Sequence, residues 1–186
     1  MGAARPPVSA PLVATPAAPA PLQLFALCTP FVVAVAADAV DRLLLPHEVR
    51  LVPAPGLAPP ASLGTLAVAG IRYSAWDLGA LLGLPSQDGA FVLVRPRAEG
   101  HPPMALRTGP CLSVAPLQPD GLAPLSPGLF RARRGAFTSA FGAVGLRAGR
   151  EDVAPIGLAL DITRLWSPDE LEHAHAALLA PEAEPS

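Results

Sequence analysis

The sequence predicts a mainly β domain, a sandwich or a barrel, finished by one C-terminal helix. Three observations predict it. Apolar runs of roughly four to seven residues recur along the chain, separated by Pro and Gly, which is the spacing of an all-β fold with short strands. Apolar residues make up 51% of the 186 residues and aromatic ones only 5%, so the core must be packed from Leu, Val and Ala. Close to the C-terminus, Ser167 is followed by Pro168, Asp169 and Glu170. That order supplies a cap residue, a proline at the first helical position and acids where the helix dipole favours them.

In chain order, residues 1–21 (MGAARPPVSAPLVATPAAPAP) are dense in Pro and Ala and are expected to form an extended arm outside the fold. Strands are expected at 22–28, 31–36, 49–52, 63–69, 71–76, 90–95, 104–107, 111–115, 136–141, 144–147 and 156–160. Helices are expected at 37–45 (ADAVDRLLL), as a short turn at 77–82, and at 167–179. The globular domain spans 22–179, and residues 180–186 (APEAEPS) form an acidic tail. Leu43, Leu66, Leu78, Val92 and Leu160 are the expected core.

The composition excludes several functions. All 13 basic residues are Arg, a mark of codon usage rather than of selection for binding. The net charge of −2 gives no overall attraction to nucleic acid or to anionic membrane. Residues 6–37 carry no charge, but Pro6, Pro7, Pro11, Pro16, Pro19, Pro21 and Pro30 break the stretch far below the ~20 residues of a spanning helix. The expected compartment is the cytoplasm. Cys28 and Cys111 lie far apart in apolar runs, as buried reduced thiols do.

No set of residues suggests catalysis or a cofactor. Ser62, Ser74, Ser113, Ser126 and Ser139 lack a glycine-flanked nucleophile turn, and without Lys there is no phosphate loop of the usual kind. Asp77 and Asp161 are better suited to capping turns than to a glycosidase pair, there being no sugar-binding aromatics around them. His173 and His175 stand two apart on a helix and so point in different directions; a solvated face is expected, not a metal site. Neither His47 nor His101 is assigned a role. Arg131, Arg133 and Arg134 are the densest basic cluster, expected on a solvent-facing turn or a local partner site rather than on nucleic acid. Trp76 is expected to be packed, and Trp166, at the rim of the last helix, to be partly exposed.

Three ordered stretches resemble the CheW family of chemotaxis coupling proteins. Residues 24–44 (LFALCTPFVVAVAADAVDRLL) follow the family's opening strand, turn and strand, with an acid at Asp38 and an apolar residue at Val40. Arg50 to Pro55 (RLVPAP) resembles its Pro-containing link. Residues 63–85 (LGTLAVAGIRYSAWDLGALLGLP) resemble its run of glycine, strand, turn glycine, strand, Asp-Leu and a short helix ending in Gly-Leu-Pro. Residues 158–170 (LALDITRLWSPDE) are similar to its last strand and Asp-containing turn. The middle, 96–135, matches poorly.

The resemblance implies two small SH3-like β-barrels packed around a shared core, and a non-enzymatic adaptor that couples chemoreceptors to a CheA-type histidine kinase. Partner-binding positions carried over are Val40, Arg42, Gly64, Ala69 and Gly70. At two of these the chain departs from the family: its usual Asn-Leu-Arg-Gly run is Ala67, Val68, Ala69 and Gly70 here, and Arg42 stands where an acid is more common. An interfacial Arg is hard to replace because its planar fork makes several directional bonds. Two alternatives follow: a specialised variant that binds receptors or another regulator but not the kinase, and a small ligand-binding barrel or enzyme with its site in 96–135.

Overall fold

The structure, a computed structural model, describes residues 22–28, 32–53, 58–86, 88–95, 100–109, 112–117, 121–125, 136–142 and 156–180. The expected arm 1–21, the tail beyond Ala180, strand 144–147, Cys111 and the Arg131, Arg133 and Arg134 cluster lie outside those residues.

Among the described residues, twelve strands form two six-stranded sheets. The first sheet contains β1 (Leu22–Cys28), β2 (Val32–Ala36), β9 (Leu112–Leu117), β10 (Ala123–Pro124), β11 (Phe137–Gly142) and β12 (Ile156–Leu160), in the order β10-β11-β12-β2-β1-β9. The second holds the contiguous segment between β2 and β9. Its members are β3 (Val40–Leu44), β4 (Leu51–Val52), β5 (Ser62–Val68), β6 (Ile71–Asp77), β7 (Phe91–Val94) and β8 (Met104–Arg107), in the order β3-β7-β8-β6-β5-β4. Each sheet is antiparallel except for one parallel pairing, β12 with β2 and β6 with β8. The described residues also form two α-helices, α1 (Leu78–Leu81) and α2 (Pro168–Leu179).

Two-residue alternation explains how the second sheet can be apolar on both faces. In β7, Phe91 and Leu93 join a cluster with Leu44, Leu66, Tyr73, Ala75 and Ala105, against which Leu51 also packs. All six strands of that sheet contribute, both edges included, so the sheet is curled around its own core in SH3-like fashion although its hydrogen-bonding order is open. Val92 and Val94 point the other way, into the larger core. There they meet Val33 and Val35 of β2, Leu160 of β12, Trp76, Met104, Leu106, Leu78 and Leu81, with Ala174 of α2. This shared core is the seam between the sheets, and it is the reason β7 reads as an unbroken apolar run instead of an alternating one.

Sequence signals account for the helix ends. Ser167 Oγ accepts from Glu170 N at 3.1 Å while Glu170 Oε2 accepts from Ser167 N at 2.7 Å, a reciprocal cap with Pro168 in the first turn. Asp77 caps α1 by accepting from Ala80 N at 2.7 Å, and Asp161 accepts from Thr163 N at 3.0 Å. Both aspartates therefore serve the turns expected of them.

Three expectations need correction. Residues 37–45 are not one helix: a single 3-10 turn at Ala37–Ala39 leads into β3. Apolar residues at 40, 43 and 44 mimic helical spacing, but the segment pairs with β7 and a bulge falls between Val40 and Arg42. Consequently Leu43 is 38% exposed rather than buried, and Leu44 is the residue that faces the core. The third correction is Trp166, which is only 7% exposed and belongs to the seam. Leu66, Leu78, Val92, Leu160 and Trp76 are buried as expected.

Candidate docking surface

The five family-derived positions fall in three places. Val40 opens the edge strand β3, half-buried against the seam and paired with Val94; Arg42, beyond the bulge, is exposed and paired with Leu93. Gly64 lies in β5, where a second bulge falls between Ser62 and Gly64. Ala69 and Gly70 form the two-residue turn joining β5 to β6. In the sheet, β3 and β5 are separated by β7, β8 and β6, so strand pairing alone does not make one groove of these residues.

The backbone gives the glycines and Ala69 definite roles. Gly64 is buried with φ 107°, a conformation that suits a bulge and penalises any side chain. A substitution such as Gly64→Arg is therefore expected to disturb folding as well as any docking. Ala69 at φ 50° and Gly70 at φ 81° both occupy the left-handed region, as a type I′ hairpin turn requires. The turn is exposed and presents no charged side chain of its own.

Exposed side chains mark β3 as the accessible edge. Asp41, Arg42 and Leu43 are all exposed, and Asp41 reaches Arg95 at 3.7 Å across the start of the neighbouring loop. Leu45, just past the strand, is also an exposed large apolar residue. An edge strand with mixed charge and two accessible leucines can pair with an added strand through its main chain while its side chains select the partner.

Two polar arrangements that the sequence did not make evident tie neighbouring elements to the second sheet. Asp77, 3% exposed at its side chain, accepts at Oδ2 from Arg107 Nε and Nη2 at 3.0 and 2.8 Å and from Ser86 Oγ at 2.7 Å. Arg107 also donates to Asp88 at 3.0 Å, which ties the loop after α1 to the end of β8. On the opposite part of β6, Arg72 donates to the carbonyls of Ala177, Leu178 and Ala180 at the end of α2. The only hint of the second was the parity of Arg72, which shares its face of β6 with Ser74 and Trp76.

The histidines behave unequally. His175 is exposed, with Nε2 2.8 Å from the Gly100 carbonyl. His173 is half-buried instead of solvated: its ring meets Trp76 edge-on at 6.0 Å, and Nε2 lies 3.3 Å from Ser62 Oγ. Among the described residues no three His, Cys, Asp or Glu side chains converge as metal ligands. One small pocket, of about 20 Å³, opens beside Val94, Met104 and Trp166. A pocket for a small-molecule substrate is typically on the order of 300–1,000 Å³.

A solved structure is similar in fold. The scaffolding protein TtCheW from Thermoanaerobacter tengcongensis superposes with a TM-score of 0.62, over 81% of this chain and 95% of that one, at 12% identity. The fold is CheW-like. No protein-family model matches the sequence, nor does any curated protein. The CheW-like fold was thus legible in three short stretches whose residues are mostly turn glycines, caps and strand apolars, the positions that fix backbone geometry. No described helix is long and apolar enough to cross a membrane.

Proposed function

We propose that this chain is a non-catalytic, cytoplasmic adaptor in a chemotaxis-like signalling system, docking a CheA-type histidine kinase, chemoreceptors, or both. The observation that carries the reading is the likeness in fold to a scaffolding protein over 81% of this chain. The accessible β3 edge, with Arg42, Leu43 and Leu45 outward, supplies a surface for docking. Calorimetry of the full chain against a CheA-type kinase and a receptor cytoplasmic tip tests it. Binding to either, weakened at least tenfold by Arg42→Glu or Leu43→Asp, is expected; no binding to both overturns the reading.

Ala69 favours a second reading, in which receptors or another regulator are bound but not the kinase. The turn carries only a methyl group where the resembling family carries a guanidinium. Arg at this position meets the same φ penalty as Ala, so Ala69→Arg probes docking and not folding. Kinase binding gained by Ala69→Arg supports a specialised variant, and strong kinase binding by the unaltered chain overturns it.

A further inference from the structure

Hydrogen bonds at either end of β7 fix which main-chain groups of β3 face outward. Arg95 N donates to Ala39 O at 2.9 Å, so Val40 and Val94 stand opposite each other as a pair that is not itself hydrogen-bonded. On the other side of β7, Thr108 N donates to Ala90 O at 2.9 Å. The main-chain groups of Ala90, Val92 and Val94 therefore face β8, and those of Phe91 and Leu93 face β3. Beyond the bulge, Arg42 and Leu44 bond to Leu93 and Phe91, while Leu43, opposite Val92, presents both its N–H and its C=O to the outer edge.

The outward groups on either side of Leu43 are closed within the chain. Val40 N–H donates to Ala37 O in the 3-10 turn before the strand. At the other end, Leu45 N donates to Glu48 Oε2 at 2.7 Å, and Leu45 O accepts from Glu48 N at 2.9 Å. Leu43 itself is exposed, on the strand that ends the order of its sheet. An open donor and acceptor on one residue, between two capped ends, is a window for a short added strand and not for a long one. Charge narrows the partner. Asp41 is paired with Arg95, whereas the exposed Arg42 has no ion pair among the described residues, and the Glu48 carboxylate sits at the Leu45 end.

We propose that β3 takes up a short antiparallel strand of a partner protein through Leu43, with an acidic residue of that strand opposite Arg42. In an antiparallel pair a single partner residue closes both Leu43 groups, whereas a parallel one needs two residues to do so. The partner residue that follows it lies opposite Arg42, where a carboxylate gains a cross-strand ion pair. The residue two before it lies opposite Leu45, where the Glu48 carboxylate repels an acid. Glu48 is thus a stop that ends pairing at Leu43 and sets the polarity of the partner. This deepens the adaptor reading and rests on it only in taking the occupant from a protein.

The test uses the isolated full chain, without kinase or receptor, so its failure is separate from failure of the adaptor reading. The capped peptide acetyl-Thr-Val-Glu-Thr-amide is titrated while the main-chain amides are followed by NMR. A saturable downfield shift, largest at the Leu43 amide and accompanied by slower amide exchange there, is expected. Replacing the peptide's Glu by Lys should weaken binding about two- to fivefold, and Arg42→Glu should reverse that preference. Methylating the valine nitrogen of the peptide removes the donor to Leu43 O and should weaken binding about tenfold. A stationary Leu43 amide, a preference for the Lys peptide, equal binding of the N-methylated peptide, or an Arg42→Glu variant that still prefers Glu each overturns the proposal. So does protection of the Leu43 amide that grows with chain concentration in the absence of peptide, which makes a second copy the occupant.

Discussion

Arg72 donates to the main-chain carbonyl of Leu178 across 3.0 Å, and thereby fastens the end of α2 to the middle of the second sheet. The same guanidinium reaches the carbonyls of Ala177 at 3.2 Å and Ala180 at 2.8 Å. The last carbonyls of a helix have no partner within it, and they carry the negative end of its dipole, so a cation there satisfies both needs. The helix has no basic residue in its own last turn. Arg72→Met, which keeps the aliphatic stem, should lower unfolding stability by about 1.5–3 kcal/mol, measured by urea denaturation. Amide exchange should quicken across 174–180 and leave β7 unchanged; equal loss of protection in both would refute the capping role.

The Asp77 network predicts a larger and less symmetrical effect. Asp77 is almost wholly buried and Arg107 is 18% exposed at its side chain, and together they join α1, the loop at Ser86 and the end of β8. Asp77→Ala removes the helix cap and leaves a mostly buried guanidinium with only Ser86 and the exposed Asp88 as partners, for an expected loss of about 3 kcal/mol. Arg107→Met leaves the carboxylate its bonds to Ala80 N and Ser86 Oγ and should cost less. In a double-mutant cycle read by denaturant midpoints, the two losses should fall well short of adding. Strict additivity would mean the pair acts as two independent groups.

Much of the fold was legible because local signals and tertiary structure agree. Ser167 to Glu170 announces α2, Asp77 announces α1, and the Val68 to Ile71 hairpin follows from two strand-like runs around a turn glycine. Where they conflict, tertiary pairing wins. Val40, Leu43 and Leu44 have helical spacing, yet β7 needs an antiparallel neighbour and the bulge after Val40 absorbs the phase error. The two residues of β10 are too few to show any period. Of the family-derived positions, Val40 and Arg42 lie on the edge strand β3, but the sequence could not show that Gly64 is buried in a bulge. Nor could it pair Arg72 with carbonyls more than a hundred residues away, since main-chain acceptors leave no mark on composition.

The β5–β6 turn yields opposite predictions for adjacent residues. Ala69 at φ 50° holds a left-handed conformation that Asn tolerates better, so Ala69→Asn should add up to about 1 kcal/mol of stability. At Gly70, φ 81°, an added Cβ meets nothing within 4 Å, so the cost of Gly70→Ala is backbone strain alone, about 1–2 kcal/mol. Thermal unfolding of the two variants should move the midpoint in opposite directions. A shared direction would mean the turn is not type I′.

Leu43 and Leu78 separate what the apolar pattern suggests from what packing decides. Both sit in leucine-rich runs and both were expected in the core. Leu78 is fully buried at the start of α1, among Trp76, Leu81 and Val92 of the seam. Truncation there removes apolar contacts and leaves a cavity, so Leu78→Ala should cost about 2–5 kcal/mol. Leu43 stands 38% exposed on an edge strand, where surrounding water can fill the space a shorter side chain leaves. Leu43→Ala should cost under about 1.5 kcal/mol, with its main effect on partner binding instead. Parallel denaturation and calorimetry of the two variants should therefore give reversed rankings, Leu78→Ala the less stable and Leu43→Ala the weaker binder. Equal destabilisation by both would place β3 inside the core and remove it as a docking edge.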